Sequence, residues 1–267
     1  MKRITLILAI WAAALAPAWA IDAATHAAAA KPTTPTAAEL RQRLAAMPPG
    51  DVARGEKLYA QQFCASCHGA DGRAPTLNWP SIAGQRVEYG YKLLQDYRQG
   101  LRHEGERAAV MRDAVRDLSD RDLADLATYT AQLRATAQPV AVVAASPVGR
   151  TATVDKTGST TPAPAVPVDT LVRHGDPGRL LTACASCHGA RGEGGTRAQP
   201  ALAGQNPAYL VRTLLDYQSG LRANDPARGM RHFAAKLSRT EIEALAAYYA
   251  SLPALSRAPA AATAANR

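Results

Sequence analysis

Cysteine is scarce in this chain. Only four occur in 267 residues, and all four stand in two copies of one heptapeptide, CASCHGA, at positions 64–70 and 184–190. Long apolar runs are missing too. The stretch from Ile4 to Leu15 falls well short of the roughly 20 residues that a spanning helix needs, and no later segment is apolar enough to cross a bilayer. Alternation of apolar and polar residues is absent as well, which argues against a sheet-built fold. Aromatic residues vanish from 21–50, 134–170 and 254–267, where Ala, Pro and Thr dominate. Without apolar periodicity these three stretches read as an N-terminal segment, a flexible linker and a disordered tail.

Lys2 and Arg3 precede the first apolar run, and Ala18-Trp19-Ala20 places small residues where a signal peptidase reads. Residues 1–20 are therefore expected to be an export signal cleaved after Ala20, with an uncleaved membrane anchor as the alternative. The mature chain is placed in the periplasm. Within 21–50, Thr36-Ala-Ala-Glu39 has the pattern of a helix cap, predicting one short helix to about Ala46 that Pro48-Pro49 ends. Met47 beside it reads as a linker residue.

Two compact segments are left, 51–133 and 171–253. Each is small for its own side chains to hold together, so a staple is expected. Adding 120 to a position in the first lands on its partner in the second: Cys64 on Cys184, His68 on His188, Pro80 on Pro200, Gln85 on Gln205, Tyr97 on Tyr217, Gly100 on Gly220. After a slip of one residue the register resumes at Leu118-Ser119 and Leu237-Ser238. The two segments are copies of one unit. Each predicts a first helix from Asp51 or from Asp176-Pro177 into the first cysteine, and a second over Arg86–Gln99 or Asn206–Ser219. A last helix follows the capping boxes Ser119-x-x-Asp122 and Ser238-x-x-Glu241. The expected fold is all-α, two tandem domains on a tether.

Four chemistries fit Cys-x-x-Cys. A disulfide leaves the adjacent histidine unexplained. A redox dithiol needs a strand-and-helix context that is absent here. Zinc wants four ligands in tetrahedral array, and each repeat supplies two cysteines and one histidine along one short turn. Covalent haem fits the whole motif: two thiols three residues apart reach two vinyl groups of one porphyrin, and the following histidine supplies the proximal nitrogen. Cys64, Cys67 and His68 would hold one haem c, and Cys184, Cys187 and His188 a second.

The register selects the opposite ligand. Met111 and Met230 each stand seven residues before the leucine that precedes the last helix, whereas His103 and His232 fall out of register. A ligand inherited through duplication recurs, so Met111 and Met230 are the candidates for the sixth position. With His/Met ligation the soft thioether favours ferrous iron and raises the potential. No position is left for peroxide or oxygen, so single-electron transfer is expected rather than catalysis.

The order of motifs, CASCHGA, then PSIAGQ or PALAGQ, then YKLLQDYRQGLR or YLVRTLLDYQSGLR, then Met, then LSDRDLADLATY or LSRTEIEALAAYY, resembles the diheme class I c-type cytochromes of the cytochrome c-four type. The resemblance covers both compact segments. It implies a periplasmic electron carrier that feeds a terminal oxidase or similar acceptor, and the same eight ligand residues. It also implies that the carbonyls of Pro80 and Pro200 accept a hydrogen bond from the proximal histidines. Two departures stand out. The family joins its domains by a short segment, whereas about 37 residues intervene here, a length whose typical end separation is about 30–35 Å; such a tether does not enforce contact between haems. Trp79 also stands beside Pro80, where it reads as packing.

Charge divides unevenly. The net charge is +9, yet the first segment holds 11 basic and 12 acidic residues against 10 and 6 in the second. Arg222, Arg228, Arg231, Lys236 and Arg239 gather around Met230, in what is expected to be the loop over an exposed haem edge. They predict a docking patch for an acidic redox partner. No nucleic-acid motif occurs. Rival readings are a cytochrome subunit bound to a sulfide, thiosulfate or alcohol dehydrogenase or to a membrane complex, and a diheme peroxidase.

Overall fold

The computed structural model describes residues 34–134, 166–196 and 198–254. The expected export signal, most of the expected linker and all but the first residue of the expected tail lie outside them. The described residues are mostly helical and carry no strand beyond one isolated bridge between Asp176 and Leu181. Among them no helix is long and apolar enough to cross a membrane.

Helix α1, Ala37–Ala45, begins where the sequence placed it, with Thr36 and Glu39 closing a reciprocal capping box. The first domain follows with α2 (Val52–Gln61), α3 (Ala65–His68), α4 (Val87–Arg98), α5 (Gly105–Val115) and α6 (Asp120–Gln132). Helices α2 and α6 cross closely because Gly55 has no side chain: a Cβ there would lie 2.2 Å from the Asp125 carbonyl oxygen and 2.7 Å from Tyr129 Cβ. The fully buried Asp125 carboxylate fixes the crossing, accepting from the Asp51 N–H at 2.6 Å and from Arg54 Nε at 2.7 Å. Tyr91, Leu123, Ala124 and Ala127 fill the core between α4 and α6. Met47 also packs against this core, so it is not a bare linker residue.

The second domain has α7 (Val168–Arg173), α8 (Ala185–His188), α9 (Pro207–Ser219), α10 (Gly229–Ala234) and α11 (Arg239–Ser251). Its core is built from Leu171, Val172, Ile242 and Leu245. The helix expected from Asp176 into the first cysteine is corrected here. Asp176 caps only a 3-10 turn, Pro177–Arg179, which Leu180 ends in the left-handed region at φ 52°. The preceding helix is α7, which begins inside the stretch assigned to the linker, and its Leu171 and Val172 are buried apolar anchors.

The two domains meet directly, a relation that the sequence left open. Gln205 Oε1 accepts from the Ser81 N–H at 2.9 Å while its Nε2 donates to the Ser81 carbonyl at 2.8 Å. Gln85 does the same with Ala201, accepting at 2.8 Å and donating at 3.1 Å. These are register partners, so each repeat clasps the backbone of the other. Asn206 Nδ2 adds a bond to the Trp79 carbonyl at 2.9 Å, which gives that loop its packing role. Buried hydrogen bonds of this kind stabilise by about 1 kcal/mol each.

Candidate haem sites

Each CASCHGA motif folds as a single helical turn. His68 N–H donates to the Cys64 carbonyl at 3.0 Å and His188 N–H to that of Cys184 at 2.9 Å, so both thiols and the imidazole of a motif leave the same turn. Gly69 ends the first turn at φ 79°, where a Cβ would lie 2.0 Å from the Arg73 carbonyl oxygen. Only glycine suits that exit.

Both histidines are buried, and each ring has one nitrogen committed. His68 Nδ1 lies 2.9 Å from the Pro80 carbonyl oxygen and His188 Nδ1 3.0 Å from that of Pro200. A carbonyl only accepts, so Nδ1 carries the proton and Nε2 keeps a free lone pair. Burial pushes both imidazole pKa values down, opposed by the carbonyl bond, so the rings stay neutral. This is the protonation state that a metal ligand requires.

His68, His188, Cys64, Cys184, Met111 and Met230 line one cavity of about 870 Å³. Met111 lies on α5, and Met230 on the short α10 rather than in the loop expected there. His103, His174 and His232 are exposed at the surface. The thiols do not suit a redox dithiol, which needs a lowered pKa: burial pushes Cys64 up to about 11 and also raises Cys184. Among the described residues no three His, Cys, Asp or Glu side chains gather as donors for one ion, so closed zinc coordination has no ligand set.

The wall also carries polar atoms that the protein leaves unpaired. Arg102 Nη1, Glu104 Oε2 and Tyr249 OH are buried without a partner and all face this cavity. Such atoms are costly unless a bound group completes them. An apolar chamber with two neutral imidazoles, two thioethers and an unpaired guanidinium N–H of Arg102 fits haem, whose flat apolar ring carries carboxylates at one edge.

Arg102 and its counterpart Arg222 are the residues whose role was missed. They are only 3 % and 2 % exposed, and each guanidinium lies 4.6 Å from the ring centroid of its own domain's tyrosine, Tyr97 or Tyr217. The repeated GLR triplet was the available signal. Arg222 also donates to Tyr89 of the first domain at 3.2 Å. Its assignment to a docking patch is thereby corrected: a guanidinium buried between the domains does not meet a partner protein. Arg231 is half-buried and paired with Asp225 at 2.7 Å, and Arg239 is paired with Glu243 at 2.6 Å.

Comparison with known proteins agrees with this geometry. The cytochrome c family model matches residues 52–134 and 178–253. Cytochrome c4 of Azotobacter vinelandii is 35% identical over 210 residues, covering 76% of this chain and 90% of that protein. The thiosulfate dehydrogenase electron acceptor of Stutzerimonas stutzeri is 32% identical over 209 residues, covering 75% and 87%. The crystal structure of reduced cytochrome c4 from Pseudomonas stutzeri superposes with a TM-score of 0.59 at 32% identity, covering 76% of this chain and 99% of that one. The chain belongs to the cytochrome c family, as a two-domain carrier of electrons with two covalently bound haem c groups.

Proposed function

We propose that Cys64, Cys67, His68 and Met111 hold the first haem, and Cys184, Cys187, His188 and Met230 the second, in a protein that relays single electrons in the periplasm. A haem so held supplies an iron that cycles between ferric and ferrous states. The observation that carries the reading is the paired bond from histidine Nδ1 to a proline carbonyl, which orients each ring and leaves Nε2 free inside the cavity. That bond also raises the basicity of the ligating nitrogen. The methionine thioethers favour the ferrous state, so both sites suit the high-potential end of a respiratory chain. A histidine and a methionine side chain on each iron would leave substrate no coordination site, which favours a carrier over a peroxidase.

Electrons come from a respiratory complex or dehydrogenase and leave to a terminal oxidase or similar acceptor. Arg228, Lys236 and Arg239 remain near Met230 as the cationic surface for an acidic redox partner. A second reading, an acceptor subunit resting on a catalytic dehydrogenase, is favoured by the similarity to the thiosulfate dehydrogenase electron acceptor.

Optical spectra of the ferric protein test the ligands. Met111→Ala and Met230→Ala are each expected to remove about half of the methionine–iron charge-transfer absorbance, with both haems still covalently attached. An unchanged band in either variant overturns that ligand.

A further inference from the structure

The family match begins at residue 52, yet α1 and its flanks, before that point, touch both domains. On one side Arg43 Nη2 donates to Asp96 Oδ1 at 3.1 Å, and Arg43 also holds Gln95 Oε1 through Nε and Nη2 at 3.2 and 3.1 Å. Leu40 is buried, and Leu44 packs on the first domain's core. On the other side Thr34 Oγ1 donates to the Ala223 carbonyl at 2.6 Å and accepts from Arg231 Nη2 at 3.1 Å. Arg231 follows Met230 directly, and its guanidinium and backbone N–H both bind Asp225.

The two ends meet through one carboxylate. Asp96, fully buried in the first domain, binds Arg43 with one oxygen and accepts from Lys92 and from Asn224 Nδ2 of the second domain with the other. Lys92 Nζ also donates to the Asn224 carbonyl at 2.9 Å. Asn224 stands beside Ala223, which Thr34 holds. A closed circuit therefore runs from Arg43 through Asp96 and Asn224 to Ala223 and Thr34, and back along α1. Removing one partner from a buried charged group costs more than a surface contact does, because the group left behind stays desolvated.

We propose that residues 34–47 form a strap that clamps the second domain onto the first, fastening Ala223, and Arg231 of α10, the helix that carries Met230, at one end and α4 at the other. The strap supplies the constraint that the long connecting segment does not. Its consequence is a fixed relation between the two haem clefts. The proposal concerns docking, so it is separable from the assignment of axial ligands, which stands or falls on the spectra.

Hydrogen exchange of the full-length, reduced holoprotein, followed by NMR, tests it. The amides of Ser81 and Ala201 are bonded across the interface and exchange when the domains part; those of Ala83 and Leu202 are bonded within their own domains, to Gly72 and Gly192. In both Arg43→Ala and Thr34→Val the first two amides are expected to exchange about tenfold faster while the second two keep their rates. Unchanged Ser81 and Ala201 rates in either variant overturn the strap, as does uniform acceleration of all four. If Arg43→Ala fails to fold, Thr34→Val, at the part-buried first residue of the strap, decides alone.

Discussion

Arg102 and Arg222 each lie over a tyrosine ring of their own domain, and both guanidinium groups are buried along the cavity wall. Besides the rings, protein partners hold them: Arg102 pairs with the buried Glu104 carboxylate, and Arg222 donates to Asn224, Thr213 and Tyr89. Gly55 is the opposite case, a residue that contributes by having no side chain. Gly55→Ala is expected to push α2 from α6 and cost about 1–3 kcal/mol of first-domain stability, read as a fall in the denaturant midpoint with the slope unchanged. An unaltered midpoint would mean that the crossing is looser than its contacts. At this scale the heptapeptides were legible, because haem chemistry fixes residue type and spacing, and the paired methionines picked out by register line the cavity with them. The clasp was not: Gln85 and Gln205 were visible as register partners, but they bind the backbones of Ser81 and Ala201, whose identity carries no signal.

Among the elements, the helices with written caps were the ones the sequence located well. Ser119 and Ser238 each close a capping box with Asp122 or Glu241, and α9 opens on Asn206 and Pro207. Helices α5 and α10 were not anticipated. Each starts at a glycine without a side-chain cap, and α10 follows Ala227 and Arg228, both left-handed at φ 55° and 58°. Glu241 makes the second domain pH-dependent. Two bonds from Arg179 come first among the causes that hold its carboxyl below the ordinary carboxylate range, with the Ser238 cap adding to them. The folded pKa is depressed, so this contribution is complete above the unfolded value of about 4.3 and is lost as pH falls through the folded value. Arg179 is a third exposed, so solvent screening holds the effect to about 1 kcal/mol. Acid titration of second-domain unfolding is expected to show this loss in the parent protein and a flatter profile in Glu241→Gln.

Between the two domains the charge excess lies in the second, but burial of Arg222 thins its surface patch to residues such as Arg228 and Arg239. Electron transfer to an acidic partner is expected to slow as salt rises, since the screening length falls from about 30 Å at 0.01 M to about 10 Å at 0.1 M. A rate independent of ionic strength would remove the steering role. The reciprocal grip of Gln85 and Gln205 has a further consequence. It is the contact of a two-fold homodimer, self-complementary by symmetry, now encoded on one chain. In a true homodimer every substitution lands twice, whereas here each half mutates alone. Asp96 and Asp216 show the outcome. The first has become the anchor for Arg43, Lys92 and Asn224. The second keeps a carboxyl whose pKa is raised by burial and by Glu104 nearby. Fusion has released the two redox centres from the obligation to be identical.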